Sequence, residues 1–271
     1  MKSVIDLSKQ KRISKESLEE ASTLFTHHGT VKIRGAFNQT KIRKLRQYIE
    51  THYLAQGEKS LEKRSSAVHT GRYLSPIRIE NWLNQPAFYA PTKLMPILES
   101  VLRPDFVLHA FGAITAFPNA PTQNIHLDHS PLFPESTTLD AFFPPYAVHL
   151  SIPLIDLNEK TGTTAVWENS HRKPLENLEA LKKWKCPPYE GASLPYMNAG
   201  DCLLTDFRLY HRGMENKTDY PRPFLYMVFC RNWFHDGMNY PKHQRMQISQ
   251  SELQQVPARY QFLFNQYRSV Q

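Results

Sequence analysis

The sequence predicts an α+β chain with a mainly β core: a double-stranded β-helix (jelly roll, cupin-like) with flanking N-terminal and C-terminal helices. Three observations carry that expectation. Apolar residues recur at helical spacing only up to Leu102 and again near the end of the chain. Between them lie six strand-like runs, at 106–117, 124–128, 147–157, 163–167, 201–210 and 223–233. Composition agrees: 20 prolines and 12% aromatic residues against 10 glycines, in 271 residues, suit short strands joined by stiff loops better than a long-helix bundle.

Taken in order, residues 14–28 read as a helix with Leu18, Ala21 and Leu24/Phe25 on one face. Ser14 is placed to cap its start and Gly29 to end it. Residues 30–34 alternate as a short strand. A second helix begins near Asn38, with Ile42, Leu45 and Ile49 inward. Residues 57–67 are polar and read as a mobile connection. Strand-like stretches follow at 68–79, broken by Gly71 and Pro76, and Pro91 opens a helix reaching Leu102. Residues 251–267 read as a closing helical segment. No internal repeat, low-complexity tract or linker interrupts the chain. The expected organisation is therefore one domain, 1–271: an N-terminal helical part (1–104), a jelly-roll core (105–235) and a C-terminal helical segment (236–271).

The formal charge of +8 points to acidic small molecules, nucleic acid or an anionic surface, or to nothing beyond a solubilising excess. The basic residues form no block; only Lys41, Arg43, Lys44 and Arg46 cluster, as the wet face of a helix. The three cysteines, Cys186, Cys202 and Cys230, have no paired spacing, which argues against a disulfide scaffold or a structural zinc site. The first residues contain no apolar signal segment, and no run is long enough to span a bilayer. A reducing cytoplasm is the expectation.

The chemistry-bearing residues are His126 and Asp128 in Asn-Ile-His-Leu-Asp-His, and His211 and Arg222 farther along. In a strand, residues two apart share a face, so His126 and Asp128 would project together with Leu127 turned away. His211 follows a strand and can join them. Two imidazoles and a carboxylate hold a metal on one face and leave the other open, the ligand set of non-haem Fe(II) oxygenases. A His-x-Asp pair alone decides little in a chain with 12 histidines. What distinguishes this one is its strand context and an arginine eleven residues after His211, a fixed cation able to grip a carboxylate through two parallel hydrogen bonds. Thr218 offers a hydroxyl to the same carboxylate. Ser151 and His149 share one face of their strand, facing either the cofactor side of the barrel or a filled core.

Most of the chain resembles the phytanoyl-CoA dioxygenase family of Fe(II)/2-oxoglutarate oxygenases. The resemblance rests on the opening helix followed by Gly29-Thr-Val-Lys-Ile-Arg-Gly35-Ala-Phe, on residues 162–171 ending in Asn-Ser-His where the family usually has Gly-Ser-His, and on Gly200-Asp-Cys-Leu-Leu-Thr-Asp206. It rests above all on His211, Gly213, Asn216, Thr218 and Arg222, which reproduce the family's His-x-Gly-x-x-Asn-x-Ser/Thr-x-x-x-Arg pattern. The departure at Asn169 lies in a turn. The resemblance implies Fe(II) on His126, Asp128 and His211, 2-oxoglutarate held by Arg222, and O2 as the third component. It implies hydroxylation of a C–H bond, or another oxidation such as desaturation, with release of succinate and CO2. In halogenating relatives the carboxylate ligand is replaced by a small residue; here Asp128 is present.

For the substrate, residues 68–75 and 129–146 are expected at the mouth, with Arg72, His69 and His129 as polar contacts to a small molecule that carries an acidic group. No Arg/Lys run interleaved with aromatics marks a nucleic-acid groove. The rival readings are a catalytically silent jelly-roll binding protein, an oxygenase acting on nucleic acid, and a zinc hydrolase on the same three ligands, which would have no need of Arg222.

Overall fold

The computed structural model describes residues 1, 3–133, 135–173, 191–237 and 245–268. Cys186 lies outside the described residues.

Helix α1 (Lys15–His28) starts at Ser14, whose hydroxyl accepts from the Ser17 N–H, and ends at Gly29 in the left-handed region (φ 73°). Ala21 and Phe25 form its buried stripe. Helix α2 (Gln39–Ile49) is capped by Asn38, whose side chain accepts from the Thr40 and Lys41 N–H groups, and buries Ile42, Leu45 and Ile49. Three expectations are corrected here. The polar stretch 57–67 is ordered as helix α3 (Glu58–Arg64) running into a strand, because Leu61 anchors it against Tyr73 and Phe117. The helix expected from Pro91 starts later, as α5 (Met95–Leu102); a separate short α4 (Pro86–Tyr89) lies before Pro91, whose carbonyl accepts the turn bonds from Leu94 and Met95. The expected strand at 124–128 is irregular backbone held to the sheet by one bridge, His126 to His211.

Ten strands are described: β1 (Val4–Asp6), β2 (Thr30–Arg34), β3 (Ser66–His69), β4 (Arg72–Pro76), β5 (Val107–Ala116), β6 (Ala147–Pro153), β7 (Thr164–Val166), β8 (Cys202–Asp206), β9 (His211–Gly213) and β10 (Arg222–Cys230). Eight form one sheet in the order β1-β2-β8-β6-β10-β5-β4-β3, antiparallel apart from the parallel β1–β2 edge; β7 and β9 form a small antiparallel second sheet. A short helix α6 (Thr137–Phe142) lies between β5 and β6. The closing segment breaks at Pro257 into α7 (Gln250–Gln255) and a tighter turn of helix running into α8 (Asn265–Arg268).

The period-two rule decides what faces the site. In β6 every residue is buried, so both faces are covered. Val148, Leu150 and Ile152 join the main core with Phe25, Ile42, Leu45 and Leu98 of the helices, while Ala147, His149 and Ser151 point the other way. In β10, Leu225, Met227 and Phe229 enter the same core, which leaves Arg222, Phe224 and Tyr226 on the inner face. Each large apolar side chain on the helix-covered face contributes roughly 1.5–3 kcal/mol by burial. A one-residue slip of β10 would move that whole set to the wrong side, so the apolar face fixes the register that aims Arg222 inward. No helix among the described residues is long and apolar enough to cross a membrane.

Candidate active site

The inner face of the sheet surrounds a cavity of about 800 Å³. His126, Asp128 and His211 stand together in its wall, with one donor atom from each lying within 4.8 Å of the others. The His126–His211 bridge, with N–H to carbonyl bonds of 3.0 and 3.1 Å in both directions, brings the irregular 124–128 segment onto β9. Asp128 is fixed two residues later by its own N–H donating to the Phe207 carbonyl at 3.1 Å.

The two imidazoles are oriented alike. His126 Nδ1 lies 2.8 Å from the Asn124 carbonyl and His211 Nδ1 lies 2.9 Å from the Leu209 carbonyl. A carbonyl accepts only, so Nδ1 carries the hydrogen in each ring and the neutral ring presents its Nε2 lone pair. That is how a protein pre-sets the metal-binding tautomer. Asp128 Oδ1 lies 3.5 Å from His211 Nε2, and Oδ2 lies 3.4 Å from His149 Nδ1. His149 in turn meets the Ser151 hydroxyl at 3.1 Å, so Ser151 reaches the triad only through His149 and is not itself in the cavity lining.

The electrostatics separate the two histidines. Burial, then the neighbouring His211, pulls the His126 pKa down to about 4, so this ring is neutral near pH 7. Burial also opposes charge on Asp128 and on His211, but their mutual attraction outweighs it: Asp128 is held well below the usual carboxylate range and His211 is raised. The donor set is therefore one neutral imidazole, one imidazole carrying a displaceable proton, and one carboxylate. A divalent metal of Fe(II) type fits this set.

Arg222 opens β10 and is 2% exposed. Its Nη1 donates to the Thr161 carbonyl at 2.7 Å and to the Met214 carbonyl at 3.2 Å. Gly162 leaves room for it: a Cβ there would stand 2.6 Å from Arg222 Nη1, and the residue's φ of +74° already favours glycine. Asn216 sets the His211–Arg222 spacing. Fully buried, it donates to the Ala116 and Tyr220 carbonyls at 3.1 and 2.9 Å, and its own carbonyl accepts from Thr218 N–H and Oγ1 at 3.2 and 2.6 Å. The Thr218 hydroxyl is thus spent inside this turn, and the structure does not bring Thr218 to the cavity as the sequence predicted.

Of the substrate candidates, Arg72 lines the cavity, on the Arg222 side. His69 faces Arg72 across the β3–β4 hairpin and sits near His126, outside the lining residues. His129 turns away towards Asp236 (4.0 Å) and the Phe234 ring (5.2 Å) because the aromatic cluster of Tyr146 and Phe234 takes it up. Among the described residues of the expected mouth at 129–146, none lines this cavity. The wall is completed instead by Glu62, Lys63, Ser65, Ser66, Ala67 and Val68 of α3 and β3, together with Gln123, Thr164, Leu74, Ile114, Phe224 and Tyr226. Phe224 and Tyr226 were legible in the alternation that follows Arg222. The α3 wall carried no such signal, because its residues are polar.

Support for the triad comes from motif residues. Asn169 takes the left-handed conformation (φ 69°) usually given to glycine, and Ser170 Oγ accepts from the Tyr210 N–H at 2.8 Å, bracing the residue before His211. Asp206 and Arg208 form a buried pair at 2.8 Å, and Arg208 Nη1 also donates to the Asp140 and Phe143 carbonyls, tying α6 to the strand end.

The sequence model of the phytanoyl-CoA dioxygenase family matches residues 25–224. Among solved structures, one that the fold resembles is HygX from Streptomyces hygroscopicus, determined with nickel and 2-oxoglutarate bound (TM-score 0.58, 17% identity, covering 82% of this chain and 89% of that one). Another is SnoN, a non-haem α-ketoglutarate-dependent epimerase of nogalamycin biosynthesis (TM-score 0.56, 15% identity, covering 88% and 98%). Both likenesses are to the fold.

Proposed function

Because the chain belongs to the phytanoyl-CoA dioxygenase family, we propose that it is an Fe(II)- and 2-oxoglutarate-dependent oxygenase that hydroxylates a C–H bond of a small-molecule metabolite, with release of succinate and CO2. The observation that carries the reading is one cavity holding both the His126–Asp128–His211 cluster and the buried Arg222 guanidinium. His126 and His211 would hold the iron through Nε2 and Asp128 through its carboxylate. Arg222 would hold the distal carboxylate of 2-oxoglutarate. Bound together, iron and 2-oxoglutarate supply the O2 activation and C–H oxidation that no protein side chain performs.

The chain's own contribution is placement and shelter. The Asn124 and Leu209 carbonyls fix the ring tautomers, and His149 steadies the Asp128 oxygen turned away from His211. Leu74, Ile114, Phe224 and Tyr226 line the cavity with apolar surface that excludes water. The volume exceeds what the cosubstrate needs, leaving space for a substrate against the Glu62–Val68 wall, where Glu62 and Lys63 offer charges of both signs. A concave cavity whose rim carries charges of both signs favours a small molecule over a nucleic-acid strand, which would need a continuous basic groove. The buried free thiols of Cys202 and Cys230 accord with a reducing cytoplasm.

The test is anaerobic titration of the apo protein with Fe(II) and then 2-oxoglutarate, following the visible charge-transfer band of the chelate. The expected band is lost in Arg222→Ala at the same cosubstrate concentration, and Asp128→Ala is expected to lose hydroxylation. A correctly folded wild-type protein with no band refutes the reading.

A further inference from the structure

We propose that the cleft between α2 and the Trp82 turn is a second binding site and takes a purine nucleotide, its base against the Trp82 indole and its phosphate on Lys41 and Lys44. The cleft shares no lining residue with the metal cavity, and the proposal does not depend on the Fe(II)/2-oxoglutarate reading.

The charge of α2 has one sign. The helix holds Lys41, Arg43, Lys44 and Arg46 and no acidic residue. Among the described residues only Arg46 of these finds a carboxylate, Glu50 at 2.7 Å. Lys41 and Lys44 are three residues apart and share a face, which continues through Tyr48 to His52. His52 lies in a π-helical stretch (Glu50–Leu54), a rare form met frequently at functional sites. This face lines a cleft of about 550 Å³, within the range of small-molecule sites. No acidic residue lines it; Glu80, close to Tyr48, is paired with Arg78 at 4.0 Å.

The opposite wall is aromatic. Trp82 is half-buried and held edge-to-face by Tyr48 (ring centroids 5.7 Å apart, 79°) and by Phe88 (5.2 Å, 80°). Among the described residues no ring is stacked on the indole, so a flat base can take that place. His52 stacks on Tyr48 at 4.2 Å, and its Nδ1 lies 2.9 Å from the Tyr48 carbonyl. Nδ1 therefore carries the hydrogen, and Nε2 is left to accept from an exocyclic amine. Lys41 donates to Gln85 Oε1 at 3.2 Å and lies 5.9 Å from the Phe88 centroid, which positions the ammonium and leaves two of its three hydrogens for a phosphate. Lys44 is exposed and makes no hydrogen bond among the described residues.

Each half of the cleft excludes a simpler ligand. A cation, which the rings alone would attract, is repelled by the two lysines. A bare phosphate would leave the aromatic wall in water, and an uncharged ring would leave the lysines unmatched. A ligand that joins a flat, amine-bearing ring to a phosphate uses both.

The experiment is calorimetric titration of the whole chain with AMP, adenosine and inorganic phosphate, for the wild type, Lys44→Gln and Trp82→Leu, with thermal unfolding as the check that each variant is folded. AMP is expected to bind about tenfold or more tightly than either fragment. Trp82→Leu is expected to weaken AMP by about ten- to a hundredfold, as for loss of one base–aromatic stack. Lys44→Gln, a change at an exposed side chain, is expected to weaken it by about fivefold and to flatten its salt dependence, and decides alone should Trp82→Leu not fold. A wild type that does not bind AMP overturns the proposal. AMP affinity that the folded variants leave unchanged would put the ligand elsewhere and overturn it, and inorganic phosphate bound as tightly as AMP would reduce the cleft to an anion patch and overturn it too. A single-stranded oligonucleotide that binds about tenfold more tightly than AMP, and is weakened by the same variants, would make the cleft part of a nucleic-acid face and overturn the mononucleotide assignment.

Discussion

Metal binding should release one proton, not two. Both imidazoles of the triad must be neutral to ligate, so each bound proton has to leave as the metal arrives. Two ordinary histidines with pKa near 6.5 would each be about nine-tenths protonated at pH 5.5, and loading the site would then release about 1.8 protons. The structure separates them. His126, pulled down to about 4 by burial and then by His211, is only about 3% protonated at that pH. His211 is raised because Asp128 outweighs its burial, so it holds close to a full proton. Asp128 stays ionised throughout and contributes none. The expected release at pH 5.5 is thus about one proton, and the apparent affinity rises about tenfold per pH unit, about 1.4 kcal/mol, until the pH passes the raised His211 value. Calorimetric titration with Mn(II), which does not oxidise during the measurement, gives the proton count when repeated in buffers of different ionisation heat. Release near two protons would mean that His126 is not desolvated as described. Release near zero would mean that His211 is not paired with Asp128.

Two further outcomes test the frame around the site. Gly162→Ala places a methyl group 2.3 Å from the Glu215 carbonyl oxygen and 2.6 Å from Arg222 Nη1 on backbone with φ +74°, so it is expected to cost more than the roughly 1–2 kcal/mol of the left-handed conformation alone and to weaken 2-oxoglutarate, read by thermal unfolding and by the anaerobic titration. Arg208→Ala leaves the Asp206 carboxylate buried without its partner and frees the Asp140 and Phe143 carbonyls; a loss of about 3–5 kcal/mol is expected, a fall in Tm of roughly 6–20 °C, and an unchanged Tm would refute the assignment.

The parts of the molecule legible in the sequence are those that depend on local rules. Ser14 and Gly29 bound α1 because a hydroxyl cap and a left-handed glycine act within a turn of their own positions. The alternation of β6 and β10 fixed which residues face inward, and with them the place of Arg222. What the sequence hid depends on distant partners. The 124–128 segment has strand spacing, yet it is irregular because only His126 finds a partner strand. The 57–67 segment looked mobile because its polar residues give no sign that Leu61 would lock it against Tyr73 and Phe117 and make it a cavity wall. Thr218 matched a motif whose spacing is real, but its hydroxyl serves the Asn216 turn. His129 was expected at the mouth as part of the 129–146 stretch, and aromatic packing with Tyr146 and Phe234 took it elsewhere.

The strand order has a consequence for how the chain is made. β10 is the seam of the large sheet, with β6, β8, β2 and β1 on one side and β5, β4 and β3 on the other. It is also the last strand described, so both halves leave the ribosome before the piece that joins them. β2 waits for β8, with Thr30 pairing to Thr205, and β5 waits for β10, with Ala116 pairing to Arg222. Such long-range closures are slow, and open strand edges are exposed to wrong partners in the interval. A nascent chain halted short of Arg222 would contain His126, Asp128 and His211 and still lack the seam that closes the cavity around them.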